Sequence, residues 1–369
     1  MRFTCDQQDF LKALTVSQKA ISSNPTLPIL SNVLLKAEGQ KLILTSTNLE
    51  VSIQINIPID LKNEGSITIP SRVITNWVNF CKQGEIEVKI EEGDSVSLKT
   101  SDAKTKIKGV SADDFPIIPK IEKENEFFIS IKDLKDAINE VSFSCSHSNI
   151  RPVLSGVLMQ NKKDIIHLVA TDSYRLSERR IKLKEKIEND IYIIIPSKTM
   201  IELERVLSGV KDKEKEVKII TSQNQILFQI DNIEIISRLI EGKFPEYNQI
   251  IPKTEKSIIE INKEDFILSI KRVGIFAREN NNNIKLNFEG DKVLITTNNT
   301  EIGTEESEVE IKLSGSNNQT ALNSLFLLDV LNIIPDKEII IKIAEKLSPV
   351  VIHGKNQKEF IHVIMPLKV

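Results

Sequence analysis

The chain repeats itself, and no other feature limits its fold as much. LPILSNVLL, beginning at Leu27, and RPVLSGVLM, beginning at Arg151, match in residue type position by position, offset by 124 residues. In the second copy the pattern reads as a buried strand over 153–159, a polar turn over 161–164, and a strand over 165–170 ending at Thr171-Asp172. Residues 27–50 follow the same grammar. Self-similarity at a fixed offset marks repeated structural units, and it is read before any local pattern.

Other signals keep the period. Asp6, Ser130 and Asn262 each stand three residues before an acid (Asp9, Asp133, Asp265) that an apolar residue follows. A side-chain oxygen there accepts from orphan amides of a first helical turn, and the acid suits the positive helix end. A second helix signal, Ile-Pro-Ser, recurs at Ser71 and Ser197, opening amphipathic stretches over 73–80 and 200–207; 325–334 takes that place in a third copy. Val51, Ile53, Ile55, Ile57 and Ile59 alternate with mostly polar residues, as do Val309, Ile311 and Leu313, the pattern of half-buried strands. DDFPIIPK at 113–120 and GKFPEYNQIIPK at 242–253 close the first two copies alike. The expectation is an α+β chain of three tandem units, 1–122, 123–253 and 254–369, joined by polar linkers near 120–126 and 252–257.

Bulk composition excludes several classes. Hydrophobic content of 40% with 27% charged residues is that of a globular protein, and no run approaches the roughly 18 apolar residues of a membrane span. The first ten residues hold no apolar leader core. Three scattered cysteines form no CxxC pair and suit a reducing, cytoplasmic setting. No glycine-rich phosphate loop occurs, and His147, His167, His353 and His362 lack metal-ligand spacing. Asp172 reads as a turn residue rather than a catalytic acid. With no catalytic constellation, cofactor or metal site in view, a binding or scaffold protein is expected, not an enzyme.

Net charge is −3, so any affinity for nucleic acid must come from local clustering. On the helix opening at Ser71, Arg72, Thr75, Asn76, Asn79 and Lys82 form a face without acids, opposite Ile74, Trp77 and Cys81. Lys198 and Arg205 share a face of the next such helix with Glu202 between them, and Lys271 and Arg272 project from a third. Basic faces of this kind suit salt-sensitive, sequence-blind phosphate contact. The apolar pair Ile275-Phe276 exceeds what one helix face needs, and reads as core or as a subunit contact.

Three such copies, with LPILSNVLL, RPVLSGVLM, ATDSYRL, KFPEY and a terminal VIMPLKV, resemble the bacterial sliding clamp, the beta subunit of DNA polymerase III, along essentially the whole chain. The resemblance implies a head-to-tail homodimer ring, sheets outside and helices lining the hole. It would encircle double-stranded DNA and tether the polymerase III alpha subunit, with a separate clamp loader opening it. It also implies a groove for short peptides of the polymerase and other clamp-binding-motif proteins. By that resemblance the groove is formed by Leu154, Thr171, Ser173, Tyr174, Arg175, Leu176, Pro245, Ile250, Val350, Val363, Met365, Pro366 and Leu367, with Arg175 on the rim or reaching the peptide. DNA would be faced by Arg72, Arg151, Lys198, Arg205, Lys271 and Arg272. The dimer joint would set Ile275 and Phe276 against strand 104–109 of the partner, with Ile107 as its apolar contact. Lys104, Lys106 and Lys108 would lie opposite Glu301, Glu305 or Glu306. Some positions depart from the family pattern: Ser173-Tyr174 stands for Gly-His, Pro349 for a serine, Gln249 for a basic residue, Lys368-Val369 for Arg-Leu, Asn24 for an arginine, and Pro152-Val153 for two tyrosines. The rival readings are a repeated α/β enzyme of nucleotide metabolism, which lacks its acid or histidine cluster, and a monomeric peptide-binding scaffold.

Overall fold

A computed structural model describes residues 1–22, 25, 27–119, 121–148, 150–212, 214–297 and 303–367. Asn24, Glu301, Lys368 and Val369 therefore lie outside the described residues. Six α-helices are described: α1 (Gln7–Ser17), α2 (Ser71–Phe80), α3 (Ile131–Ser142), α4 (Ser197–Ser208), α5 (Lys263–Ala277) and α6 (Ser324–Ile333). The capping signals act as expected at α1, where Asp6 accepts from the amides of Gln8 and Asp9, and at α5, where Asn262 accepts from Asp265. None of the helices is long and apolar enough to cross a membrane.

By packing, the chain divides into two compact units. The first holds Met1–Ile131 with Glu202–Leu239; the second holds Lys132–Ile201 with Ile240–Val369. The middle third of the sequence is thus shared. The reason is strand pairing. In the first unit Ile233–Arg238, from the middle copy, pairs antiparallel with Val51–Pro58 and completes an eight-stranded sheet beside a five-stranded one. In the second unit Arg175–Lys182 pairs with Phe360–Ile364 within a twelve-stranded sheet. Backbone hydrogen bonds across such joints make the strands of two copies one sheet, which outweighs their membership of one repeat.

Each unit has its own core. Phe3, Phe10, Leu14, Ile53 and Phe228 are fully buried in the first, and Phe266, Phe288, Val330 and Phe360 in the second. Each such side chain contributes roughly 1.5–3 kcal/mol by leaving water.

One sequence reading needs correction. The strand expected from Val153 begins instead at Gly156, preceded by a 3-10 turn over Pro152–Ser155; its counterpart is Pro28–Ser31 before Asn32. In both, proline at the first position presets φ and wastes no amide. The serine closes the turn, Ser31 Oγ donating to the Pro28 carbonyl at 2.6 Å and Ser155 Oγ to that of Pro152 at 2.7 Å. The repeat therefore persists down to single hydrogen bonds.

Candidate functional site

The strand Ile165–Thr171 ends in a turn that its own side chains build. Thr171 Oγ1 donates to the Arg175 carbonyl at 2.6 Å and accepts from the Ser173 amide at 3.1 Å. Asp172 Oδ1 accepts from the amides of Tyr174 and Arg175, both at 2.9 Å, which is the turn role expected of it. Ser173 has φ +80°, the left-handed region that favours glycine, so the serine occupies a glycine-type position.

Beyond the turn, alternation puts Leu176 on the same sheet face as Val363 and Val351, in a cluster with Leu158, Val169, Phe244 and Tyr247. The KFPEY segment is pinned to this floor. Tyr192 Oη accepts from the Phe244 amide at 2.9 Å; Tyr247 Oη accepts from Gln160 at 2.7 Å and donates to Glu178 at 3.3 Å. Glu178 also accepts from His167 Nδ1 at 2.6 Å and from Arg180 at 3.2 Å. Burial alone would raise the Glu178 carboxyl, but these donors outweigh it and hold it at about 2. Burial and the adjacent Glu178 charge push the Tyr247 phenol up.

Above the floor Tyr174 is 63% exposed, Met365 38% and Ile250 37%, with Pro245 exposed and Pro366 and Leu367 half-buried. The tail is held in place, since Met365 N donates to the Tyr174 carbonyl and Leu367 N to that of Ala321, both at 2.8 Å. Leu154 and Thr171 are buried beneath. Adaptable apolar side chains on a rigid, hydrogen-bonded floor suit capture of a short extended peptide by its aliphatic or aromatic side chains.

Two expected groove residues lie elsewhere. Val350 pairs with Ile364 and is buried in the other core, because strand alternation turns it to the opposite face from Val351. Arg175 is not on the rim. It is 7% exposed, its guanidinium donating to Asp172 (3.0 Å), Asp329 (2.6 Å) and the Phe143 carbonyl (2.9 Å), over the rings of Phe143 and Phe326. Phe244 was legible as part of a repeated FP motif, and Tyr247 lies in the KFPEY segment that carries the resemblance. Tyr192, Gln160, Glu178 and His167 carry no local signal, since they reach the site only through strand register.

Family models for the DNA polymerase III beta subunit match almost the whole chain: its N-terminal domain over residues 1–119, its central domain over 128–246 and its C-terminal domain over 248–368. The chain belongs to the bacterial sliding clamp family. The beta sliding clamp of Staphylococcus epidermidis is 30% identical to it, across all of this chain and 99% of the relative. Solved clamps of Bacillus subtilis (26% identity, TM-score 0.94) and Pseudomonas aeruginosa (27%, 0.94) superpose on all of it, covering 99% and 100% of their own chains. It is built of three tandem clamp domains, and its function is that of a non-catalytic DNA sliding clamp giving processivity in replication.

Within this clamp the basic residues sit as follows. Arg72 on α2 is exposed, but Thr75 is buried, bonded to the Ser71 carbonyl, while Val73 and Phe80 face out; the α2 surface is less polar than its spacing implied. Lys82 is bridged to Asp102 at 2.9 Å. Arg151, Lys198, Lys271 and Arg272 are exposed, and exposed Arg205 pairs with Glu202 at 2.5 Å. A cavity of about 710 Å³ in the first unit brings Arg205 together with Lys12, Lys19, Lys211 and Lys215, which sequence reasoning did not single out. Burial pushes the Lys19 ammonium down, opposed by Glu202.

Among the sheet edges of the described residues, two are oppositely charged. Lys104–Lys108 pairs only with Ser95–Lys99. Residues 306–310 of Glu306–Gly315 pair only with Lys292–Thr296, whereas 311–315 also pair with Ser257–Asn262. The first edge exposes Lys104, Lys106 and Lys108; the second exposes Glu306, Glu308 and Glu310. Ile107 turns inward and is 7% exposed, so it is core rather than a projecting contact. Ile275 is 55% exposed; Phe276 is half-buried, close beside Gly303. Glu305 is half-buried and accepts from Ser307 Oγ.

Proposed function

We propose that two copies of this chain close head-to-tail into a ring around duplex DNA. The open edges carry the reading. The strands that join successive repeats come from the first half of one repeat and the second half of the other. Two such pairs are joined within the chain, at Val51–Pro58 with Ile233–Arg238 and at Arg175–Lys182 with Phe360–Ile364. The corresponding strands 104–108 of the first repeat and 306–310 of the third have no such partner within the chain, and one is lysine-rich and the other glutamate-rich. Pairing them between two chains would continue the series of joints between repeats and close it on itself. The exposed charge pairs mainly set register, at about 0–1 kcal/mol each. Ile275 and Phe276, with Glu305 and Glu301, belong to this contact, and the three domains run over about 1–122, 123–253 and 254–369.

DNA passes through the ring without sequence readout, met by Arg72, Arg151, Lys198, Arg205, Lys271 and Arg272. The groove around Tyr174, Pro245, Ile250 and Met365 takes short peptides of the polymerase III alpha subunit, of the clamp loader and of other factors in the cytoplasm. Holding a polymerase on a topological tether raises its effective concentration at the primer end.

Retention on DNA with and without ends tests the ring. The protein is loaded by a clamp loader on nicked circular plasmid, gel-filtered, and filtered again after linearisation. Co-elution with the circle and loss on cutting is the expected result. Equal retention on both means ordinary surface binding, and retention on neither, with an active loader, means a peptide-binding scaffold.

A further inference from the structure

We propose that the first unit carries a second, more polar peptide site, the internal counterpart of the groove in the second unit. The inference rests on the groove reading above, and is carried by a turn that the fold repeats bond for bond. Thr47 Oγ1 donates to the Val51 carbonyl at 3.0 Å and accepts from the Leu49 amide at 3.0 Å, as Thr171 does with Arg175 and Ser173. Asn48 Oδ1 accepts from the amides of Glu50 and Val51 at 3.0 and 2.8 Å, as Asp172 does from Tyr174 and Arg175. Leu49 has φ +75° where Ser173 has +80°. The neighbouring strand is tied on in the same way: Arg238 N donates to the Glu50 carbonyl at 2.9 Å, as Met365 N does to that of Tyr174.

This equivalence predicts where a pocket should be, and one is there. A cavity of about 70 Å³ is bounded by Thr47, Leu49, Glu50 and Ser52, by Pro116, and by Ile236 and Arg238. These hold the places of Thr171, Ser173, Tyr174, Leu176, Pro245, Val363 and Met365. The volume exceeds the roughly 10–15 Å³ that one water needs, and suits a single aliphatic side chain. Phe115 is buried beside Pro116 as Phe244 is beside Pro245. Ile117 is 94% exposed and Leu49 44%, so apolar surface is available for an occupant to cover.

The differences set the ligand. Ser52, whose hydroxyl donates to Thr47 Oγ1 at 2.8 Å, replaces the Leu176 floor; Glu50 and Arg238 replace Tyr174 and Met365 on the rim. The occupant is a short extended peptide of a protein partner, with one aliphatic anchor and polar flanks. It binds more weakly than at the second unit, whose floor and rim are apolar.

The test is calorimetric titration of the full-length protein with the peptide Gly-Ser-Leu-Leu-Phe, using Ile250→Glu to block the groove and Ile117→Asp to block the new site; both positions are exposed enough for the variants to fold. The wild type is expected to bind two peptides per chain. Ile250→Glu should remove the tighter event and leave a weaker saturable one, which Ile117→Asp then weakens at least about tenfold, the loss of one anchor contact. If Ile250→Glu abolishes all binding, or the residual event ignores Ile117→Asp, the second site does not exist, though the groove stands. If Ile250→Glu changes nothing and Ile117→Asp removes the binding, the groove reading fails and the second site stands. No binding by the wild type overturns both.

Discussion

The two joints at which strands of successive repeats meet perform one architectural task with opposite materials. At the first joint, Val51, Ile53 and Ile55 lie in register with Ser237, Ile235 and Ile233, and all six are buried. At the second, the corresponding row is Arg175, Ser177 and Arg179, in register with Ile364, His362 and Phe360. Ser177 Oγ is 2.8 Å from both Ser144 Oγ and His362 Nδ1, and the His362 ring stacks on Phe143. Arg179 lies 3.3 Å from Glu140, which also accepts from Gln357. An apolar joint gains its stability from burial of the row that faces the core. A buried polar joint gains little net stability, because desolvation offsets the pairing, but it penalises every misplacement. The polar joint is the one that carries the exposed groove, and its Arg175 fixes the turn from below. The difference teaches that the interior polarity here positions a surface rather than strengthens a core.

The comparison can be broken most directly at its matched positions. Arg175→Ala leaves Asp172 and Asp329 without their cation and should cost about 3 kcal/mol. Val51→Ala, at the equivalent place, removes two methyl groups and should cost about 1.5 kcal/mol. Hydrogen exchange of Phe360–Ile364 against Ile233–Arg238 reads each joint separately, and equal losses would show that the polar lock has no special role.

A pH series is the next largest effect. Burial, with the Arg175 charge, pushes the His362 imidazole down to about 3. The unfolded chain takes up that proton near pH 6.5 and the folded one refuses it, so stability at the second joint falls as pH drops from about 6.5 toward 3. By pH 5 the loss should be about 2 kcal/mol. Glu178, held at about 2, acts in the same direction below its unfolded value near 4.5. The first joint should show no such slope, and His362→Gln should flatten the second, both visible in exchange at pH 7 and 5.

Glu140 bends the profile the other way. Burial raises its carboxyl to about 7 against the opposing Arg179 charge. Its contribution is present below about 4.5 and is lost as pH rises through about 7, so Glu140→Gln should protect the second joint at pH 8 by about 1 kcal/mol relative to the wild type. Denaturant melts at pH 6 and 8 would reveal it; an unchanged difference would mean that Glu140 titrates normally.

The smallest effect sharpens what the joints share. Ser173→Gly and Leu49→Gly should each relieve left-handed strain, worth about 0.5–1 kcal/mol after the entropy of the added glycine. Thermal shifts upward at both positions are expected. A gain at one alone would mean that the two turns are not equivalent.

Much of this was legible in the sequence because the signals are local. The Asp6 and Asn262 caps, the Ile-Pro-Ser helix starts and the alternation of Val51 to Ile57 depend on neighbours a few residues away. The turn at Thr171 was legible for the same reason. What was misread depended on facing. The resemblance carried Val350 into the groove and Arg175 to its rim or to the peptide, and local pattern could not correct either, because a strand's two faces are equivalent until a partner strand and a helix choose between them. Thr75 went astray likewise: spacing assigns residues to a face, but not which face the core takes.

The sequence by itself determined the number of repeats and most of the elements within each, since these follow from periodicity and short-range chemistry, and its motifs carried the resemblance to the family. Only the tertiary structure decided that the middle repeat is divided between two units, that one joint is apolar and the other polar, and that two oppositely charged edges stay open. Those outcomes rest on pairings such as Ser177 with His362, 185 residues apart, and chain separation of that size leaves no mark in local pattern.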